Sequence, residues 1–163
     1  MRHRCLGSFE GQDAMEEITR RILTLDANVF VAAMKADEPQ REKCTEIIEK
    51  VPDLFLLAEP SVVYQEVCGT LARRVGVNKA DAAKEQLDLI IHPSLLFTCG
   101  KTFCVSAYHL CSEYDVYALD ALYLKAALDN GAVLVSLDKE DFVEKVRSKK
   151  APIEVYHVSE FPY

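Results

Sequence analysis

Short, nearly uninterrupted apolar runs recur along this chain, each closed by a polar or turn residue and followed by a helical pattern. The runs are Arg21–Leu25, Leu54–Leu57, Leu95–Phe97, Ala132–Val135 and Ile153–Tyr156. A strand that is apolar at successive positions is buried on both faces, and intervening helices let such strands pair in parallel. The pattern predicts an α/β fold with a central, mostly parallel sheet of about five strands covered by helices on both faces. Helices are predicted at Val29–Met34, Arg41–Lys50, Ser61–Arg74, Lys79–Ile90, Phe103–Glu113, Ala118–Leu128 and Asp141–Arg147. Residues 1–20 carry Gly7, Gly11 and mixed charge with little periodicity. They are expected to form a loosely ordered extension ahead of one domain over residues 21–163.

Composition narrows the function classes. With 163 residues, half of them hydrophobic, the chain can bury a sizeable core without a disulfide or structural metal. No apolar run reaches the ~18 residues of a membrane span, and the N-terminus lacks the apolar stretch of a signal peptide. A cytoplasmic protein is expected. The formal charge of −7, from 19 basic and 26 acidic residues, argues against coating nucleic acid through bulk positive charge. It does not exclude a nuclease whose acids bind cations. The six cysteines (5, 44, 68, 99, 104 and 111) form no CxxC pair and are expected to be reduced and mostly buried. Cys99 and Cys104 flank a short segment and leave one disulfide open. They form no zinc knuckle with His109.

Open parallel sheets bind ligands beyond the carboxyl ends of their strands, so the residues just after the strands carry most of the chemical information. Asp26 follows the first run directly and Asp138 follows Val133–Leu137. Either acid could serve only as a helix N-cap. Asn28 could steady the Asp26 carboxylate, and Ser136, two residues before Asp138, could point to the same end of the sheet. Asp120 sits in Tyr117–Leu124, a stretch apolar on nearly all sides. A carboxylate buried there needs a partner or a cation, although the helix dipole offers some relief. Glu66 lies on the flank of the face defined by Val63, Val67 and Leu71. Arg73 shares its edge as a candidate phosphate contact, or as an ordinary solvated arginine.

Four acids at two strand ends, one helix edge and one first turn can meet at one end of a parallel sheet. Clustered carboxylates repel one another and call for cations, and an oxygen-only donor set suits Mg²⁺ or Mn²⁺. The segments Leu25–Phe30, Pro60–Arg73 with Glu66, Leu119–Leu124 with Asp120, and Val135–Asp138 resemble, in order and spacing, the motifs of PIN-domain ribonucleases. Among these, the VapC-type toxins are the most similar in length. The resemblance spans residues 21–156 and implies a three-layer α/β/α fold. It also implies Mg²⁺- or Mn²⁺-dependent cleavage of RNA by water, leaving a 5′-phosphate and a 3′-hydroxyl. Asp26, Glu66, Asp120 and Asp138 would hold one or two ions, with Asn28 and Ser136 orienting the acids. Two such ions would bring the formal charge from −7 to −3. A toxin–antitoxin role further implies an antitoxin protein as partner, and a homodimer.

Other features carry less. Gly100-Lys101-Thr102 lacks the glycine that a Walker loop needs at position 95, where Leu stands, and reads as a strand-to-helix turn. The cluster of Lys145, Arg147, Lys149 and Lys150 reads as a solvated face, with an RNA contact as the lesser reading. Tyr108, Tyr117 and Tyr123 read as core or partner surface. A phosphohydrolase of the haloacid-dehalogenase type also opens on an Asp after its first strand, but it has a second Asp where Asn28 stands here. A ribosomal-RNA processing nuclease and a non-catalytic interaction module of the same fold remain open alternatives.

Overall fold

The computed structural model of the protein describes residues 20–163. The extension expected over residues 1–20 lies, apart from Arg20, outside them. In chain order the elements are β1 (Arg21–Leu25), α1 (Ala27–Met34), α2 (Arg41–Glu49), β2 (Phe55–Leu57) and β3 (Glu59–Pro60). Then follow α3 (Val62–Arg74), α4 (Val77–Ile90), β4 (Leu96–Phe97), α5 (Lys101–Tyr114) and α6 (Ala118–Asn130). The chain ends with β5 (Val133–Ser136), α7 (Glu144–Ser148) and β6 (Val155–His157). A π turn over Lys139–Val143 joins β5 to α7.

The main sheet has four strands in the order β2-β1-β5-β6, and every pairing is parallel. Its inner strands are buried on both faces: Leu23, Thr24 and Leu25 of β1, and all four residues of β5. This is why they read as continuous apolar runs rather than as an alternating pattern. Right-handed crossovers put α1 and α2, which lead from β1 to β2, on one face. The return to β5, on the other side of β1, puts α6 on the opposite face, where it packs on β1 and β5.

The strand count needs correcting. The expected third strand at Leu95–Phe97 is not in the main sheet. It forms β4 and pairs in parallel with β3, a two-residue strand absent from the sequence reading. The chain leaves the main sheet after β2, where Pro60 has no N–H to donate to a further rung with β1 and pairs instead with Phe97. The Ser61 N–H then donates to Phe97 at 2.8 Å, starting α3 from the smaller sheet.

Helix α3 buries Val63, Val67 and Leu71, the stripe expected from its sequence. Helix α6 buries Ala121, Tyr123, Leu124, Ala126 and Ala127, which lie around much of its circumference. It ends at Gly131, whose φ of 56° is the left-handed conformation that glycine adopts without a Cβ clash. Of the described cysteines only Cys44 is fully buried, so "mostly buried" does not hold; all five are free thiols, Cys99 and Cys104 included. The basic cluster is partly engaged within the protein. Lys145 bridges Asp115 and Asp141, each at 3.3 Å, and Arg147 pairs with Glu160 at 2.8 Å. Tyr123 is core, whereas Tyr108 and Tyr117 are exposed. No helix among the described residues is long and apolar enough to cross a membrane.

Candidate active site

The strand order places the site. β1 and β5 are neighbours, and β1 has β2, its successor in sequence, on its other side. Connections therefore diverge to opposite faces at the carboxyl ends of β1 and β5, which opens a crevice there. An open cavity of about 470 Å³ occupies this position, lined by Asp26, Asn28, Glu66, Asp120 and Asp138 among others. All four acids singled out from the sequence thus border one space.

Asp26 sits at the N-cap position of α1 but makes no side-chain cap hydrogen bond. Its carboxylate is held from the other direction. Ser136 Oγ and Asn28 Nδ2 both donate to Oδ2, each at 2.6 Å. Asn28 in turn accepts the Leu137 N–H through Oδ1 at 3.1 Å, and Ser136 Oγ accepts the Asp138 N–H at 2.9 Å. This network ties the end of β1 to the turn after β5. The Asp26 N–H also donates to the Val135 carbonyl at 3.0 Å, continuing the ladder between the two strands. With both side-chain donors on Oδ2, Oδ1 receives no side-chain hydrogen bond among the described residues.

Asp138 does perform the ordinary capping role, since its Oδ1 accepts the Asp141 N–H at 2.9 Å. Its second oxygen is not used in this cap. Glu66 Oε2 accepts a hydrogen bond from Tyr123 Oη at 2.7 Å. Tyr123 is only 1% exposed, so packing fixes the direction of its hydroxyl. This role is not visible in the sequence, because an aromatic residue in an apolar helix signals core.

Electrostatics show what the cluster lacks. Burial raises Asp26 from 3.8 to about 7, and the charges of Asp120 and Glu66 add to the rise against the lowering bond from Ser136. Burial raises Asp120 to about 6, with Asp138, Glu66 and Asp141 pushing in the same direction. Burial also raises Glu66, opposed by the Tyr123 hydroxyl. No positive side chain is among the causes of these shifts. Among the described residues no three acid, histidine or cysteine side chains close into a ready-formed ion cage. The acids instead ring the cavity. All-oxygen donors around open space fit a hard cation such as Mg²⁺ or Mn²⁺, which retains several waters and takes few protein ligands.

Arg73 is not among the residues lining the cavity; Thr70 and Arg74 are. At ~100° per residue, Thr70 and Arg74 rotate from Glu66 toward the buried stripe, by ~40° and ~80°. Arg73 rotates ~20° the other way, toward solvent. Glu38, held by Lys35, also borders the cavity and was not anticipated.

The family model that matches the chain is that of the PIN domain, over residues 23–147. Direct comparison with curated sequences finds no match. Among solved structures, VapBC2 from Rickettsia felis bound to a DNA fragment from its promoter is similar at 15% identity and a TM-score of 0.58. That alignment covers 83% of this chain and 98% of the other. FitAB bound to the IR36 DNA fragment is similar at 14% identity and a TM-score of 0.61, covering 87% and 98%. FitAcB from Neisseria gonorrhoeae is similar at 15% identity and a TM-score of 0.57, covering 86% and 99%.

Proposed function

The chain belongs to the PIN domain family, and from that premise we propose that it is a metal-dependent endoribonuclease. The supporting observation is the convergence of Asp26, Glu66, Asp120 and Asp138 on one cavity, with no cationic side chain among the influences on the buried acids. Mg²⁺ or Mn²⁺ bound there supplies Lewis acidity toward phosphate and lowers the pKa of water to the neutral range. The four acids would hold one or two ions.

The chain's own residues do the rest. Ser136 and Asn28 hold Asp26 Oδ2 and leave Oδ1 to face the ligand. Tyr123 orients Glu66. Arg74, at the rim, contacts a substrate phosphate, with Thr70 beside it. No Ser, Cys or His nucleophile is required, because water attacks phosphorus in line and leaves a 5′-phosphate and a 3′-hydroxyl.

The test is cleavage of a labelled RNA with Mg²⁺, with Mn²⁺ and in EDTA, with the ends of the products identified. Cleavage that persists in EDTA would sink the metal mechanism. Absence of both cleavage and Mn²⁺ binding would favour a non-catalytic module. Two substitutions probe supporting roles. Tyr123→Phe is expected to weaken Mn²⁺ binding about 10-fold, the lower end for a residue that orients a ligand, as read by calorimetry. Arg74→Ala is expected to raise KM about 5- to 10-fold with kcat nearly unchanged, the size of one ordinary hydrogen bond at an exposed rim. Arg73→Ala should change neither, and the reverse ranking would restore Arg73 as the contact.

The biological setting proposed is the toxin of a toxin–antitoxin pair, with an antitoxin protein as partner and a homodimer as its assembly. It rests on the resemblance to VapC-type toxins and on the solved relatives being described as complexes on DNA, one with its own promoter. A cytoplasmic location follows from that setting. A small reading frame directly upstream, whose product co-purifies with this chain, would support it. Its absence would favour the RNA-processing role for the same chemistry.

A further inference from the structure

β1 and β2 run in register through Leu23 and Leu57, and the Ala58 N–H donates to the Leu23 carbonyl at 2.8 Å. One step further, a continuing parallel ladder would pair the Leu25 N–H with the Ala58 carbonyl. That bond is not made, because the chain turns away there to begin β3. Two side chains close the gap. Thr24 Oγ1 donates to the Ala58 carbonyl at 2.7 Å, and Glu59 Oε1 accepts the Leu25 N–H at 2.7 Å. A carboxyl therefore stands in for a strand beside the last residue before Asp26.

Glu59 is fully buried, and its Oε2 is the one buried side-chain polar atom without a hydrogen-bond partner among the described residues. Burying a carboxyl with an unused oxygen is unfavourable. Thr24 shows that a hydroxyl can serve the other half of the splice, so closing the gap does not by itself call for an acid. The location gives Glu59 a further role. On one side it holds the end of β1, whose next residue, Asp26, is pinned across to β5. On the other it begins β3, from which Ser61 leads into α3 and Glu66.

We propose that Glu59 is a positioning residue of the site: its side chain, in place of a strand, sets the end of β1 against the start of α3 and so the placement of Asp26 relative to Glu66. The inference rests on the reading of those acids as metal ligands. Burial holds the Glu59 carboxyl well above the usual carboxylate range. Burial thus disfavours a charge here, and glutamine keeps the shape and the acceptor oxygen.

The test compares Glu59→Gln, Glu59→Leu and Thr24→Val by Mn²⁺ affinity, by hydrogen exchange of the Leu25 amide, and by thermal melting. Glu59→Gln should bind Mn²⁺ within about 2-fold of wild type and keep the Leu25 amide protected. Glu59→Leu, similar in size but with no acceptor, should lose that protection and weaken Mn²⁺ binding about 10- to 100-fold. Thr24→Val breaks the other half of the splice and should lower the melting temperature while leaving Mn²⁺ affinity within about 2-fold. A folded Glu59→Leu protein that binds Mn²⁺ like wild type would overturn the proposal. So would a Thr24→Val protein as impaired in binding as Glu59→Leu. If Glu59→Leu does not fold, Glu59→Asp takes its place. It keeps the acid but shortens its reach, and unchanged Mn²⁺ affinity there overturns the proposal equally. A wild type that binds no Mn²⁺ would instead remove the metal reading on which the inference rests.

Discussion

Asp26→Asn is expected to lower RNA cleavage at fixed Mn²⁺ by on the order of a thousandfold, the scale on which removing one preorganised electrostatic partner of a reaction acts. The substitution preserves volume, and a single oxygen can still accept from Ser136 and Asn28, which share one acceptor in the wild type. The difference appears at the free position. The substituted side chain would turn its amide nitrogen, a donor, to where Asp26 presents Oδ1 to a cation. Charge and ligand are lost together, and the fold is kept. Single-turnover cleavage of a labelled RNA gives the measurement. A variant within tenfold of wild type would show that Asp26 is not at the centre of the reaction.

The same substitution is expected to make the metal-free protein more stable at pH 8, by on the order of 4 kcal/mol. Asp26 titrates at 3.8 in the reference state and about 7 in the fold, chiefly because burial disfavours its charge. A group whose pKa is raised by folding keeps its proton in the native state while the unfolded chain has released it. Native protein then holds more protons than unfolded protein, and stability falls as pH rises. For Asp26 that loss runs from about pH 4 to about pH 7 and is complete above it. Asp120, raised to about 6, adds a smaller loss over about pH 4 to 6. Asparagine has no charge to bury, so melting temperatures in EDTA should separate with pH, Asp26→Asn lying higher by pH 8. The comparison isolates Asp26 from exposed acids such as Asp88 and Glu160. Hydrogen bonds from Lys84 and Arg147 lower those, so their contribution is lost only on acidification. Mn²⁺ should stabilise wild type most above pH 7, where no proton need be displaced from Asp26. A stability gap between the two proteins that does not widen from pH 4 to pH 8, or an Asp26→Asn protein less stable than wild type at pH 8, would contradict this account.

The unfavourable charge at Asp26 explains a tension in the sequence. Four of the acids behind the net charge of −7 border one cavity. In the metal-free chain they repel one another, and Asp26, Glu66 and Asp120 lean toward their protonated forms. The site is kept at some expense of stability, as sites built for electrostatics often are.

How far the site was legible varied by residue. Asp26 and Asp138 could be located because a strand end is marked locally, by an apolar run and the polar residue that stops it. Asp120 stood out because a carboxylate within an apolar helix needs an explanation. Arg73 shares the Glu66 edge without lining the cavity, whereas its neighbour Arg74 lines it. Helical spacing gives an angle about the axis but not which flank faces the neighbouring elements. Tyr123 and Glu59 carried no local signal of use. Tyr123 reads as core until the fold brings α6 within hydrogen-bond reach of Glu66 on α3. Glu59 reads as a loop residue until Leu96–Phe97, distant in sequence, draws β3 away from the main sheet.

By itself, then, the sequence determined the alternation of strands and helices, the parallel sheet and the chemical character of its carboxyl end. Periodicity and terminating residues are local properties of the chain. Tertiary structure alone decided that Asp26 leaves one oxygen free while Asp138 commits one to a cap, that Tyr123 aims at Glu66, and that Glu59 replaces a strand beside Leu25. Each depends on which distant elements pack together and on the burial they impose, and no stretch of chain encodes that alone.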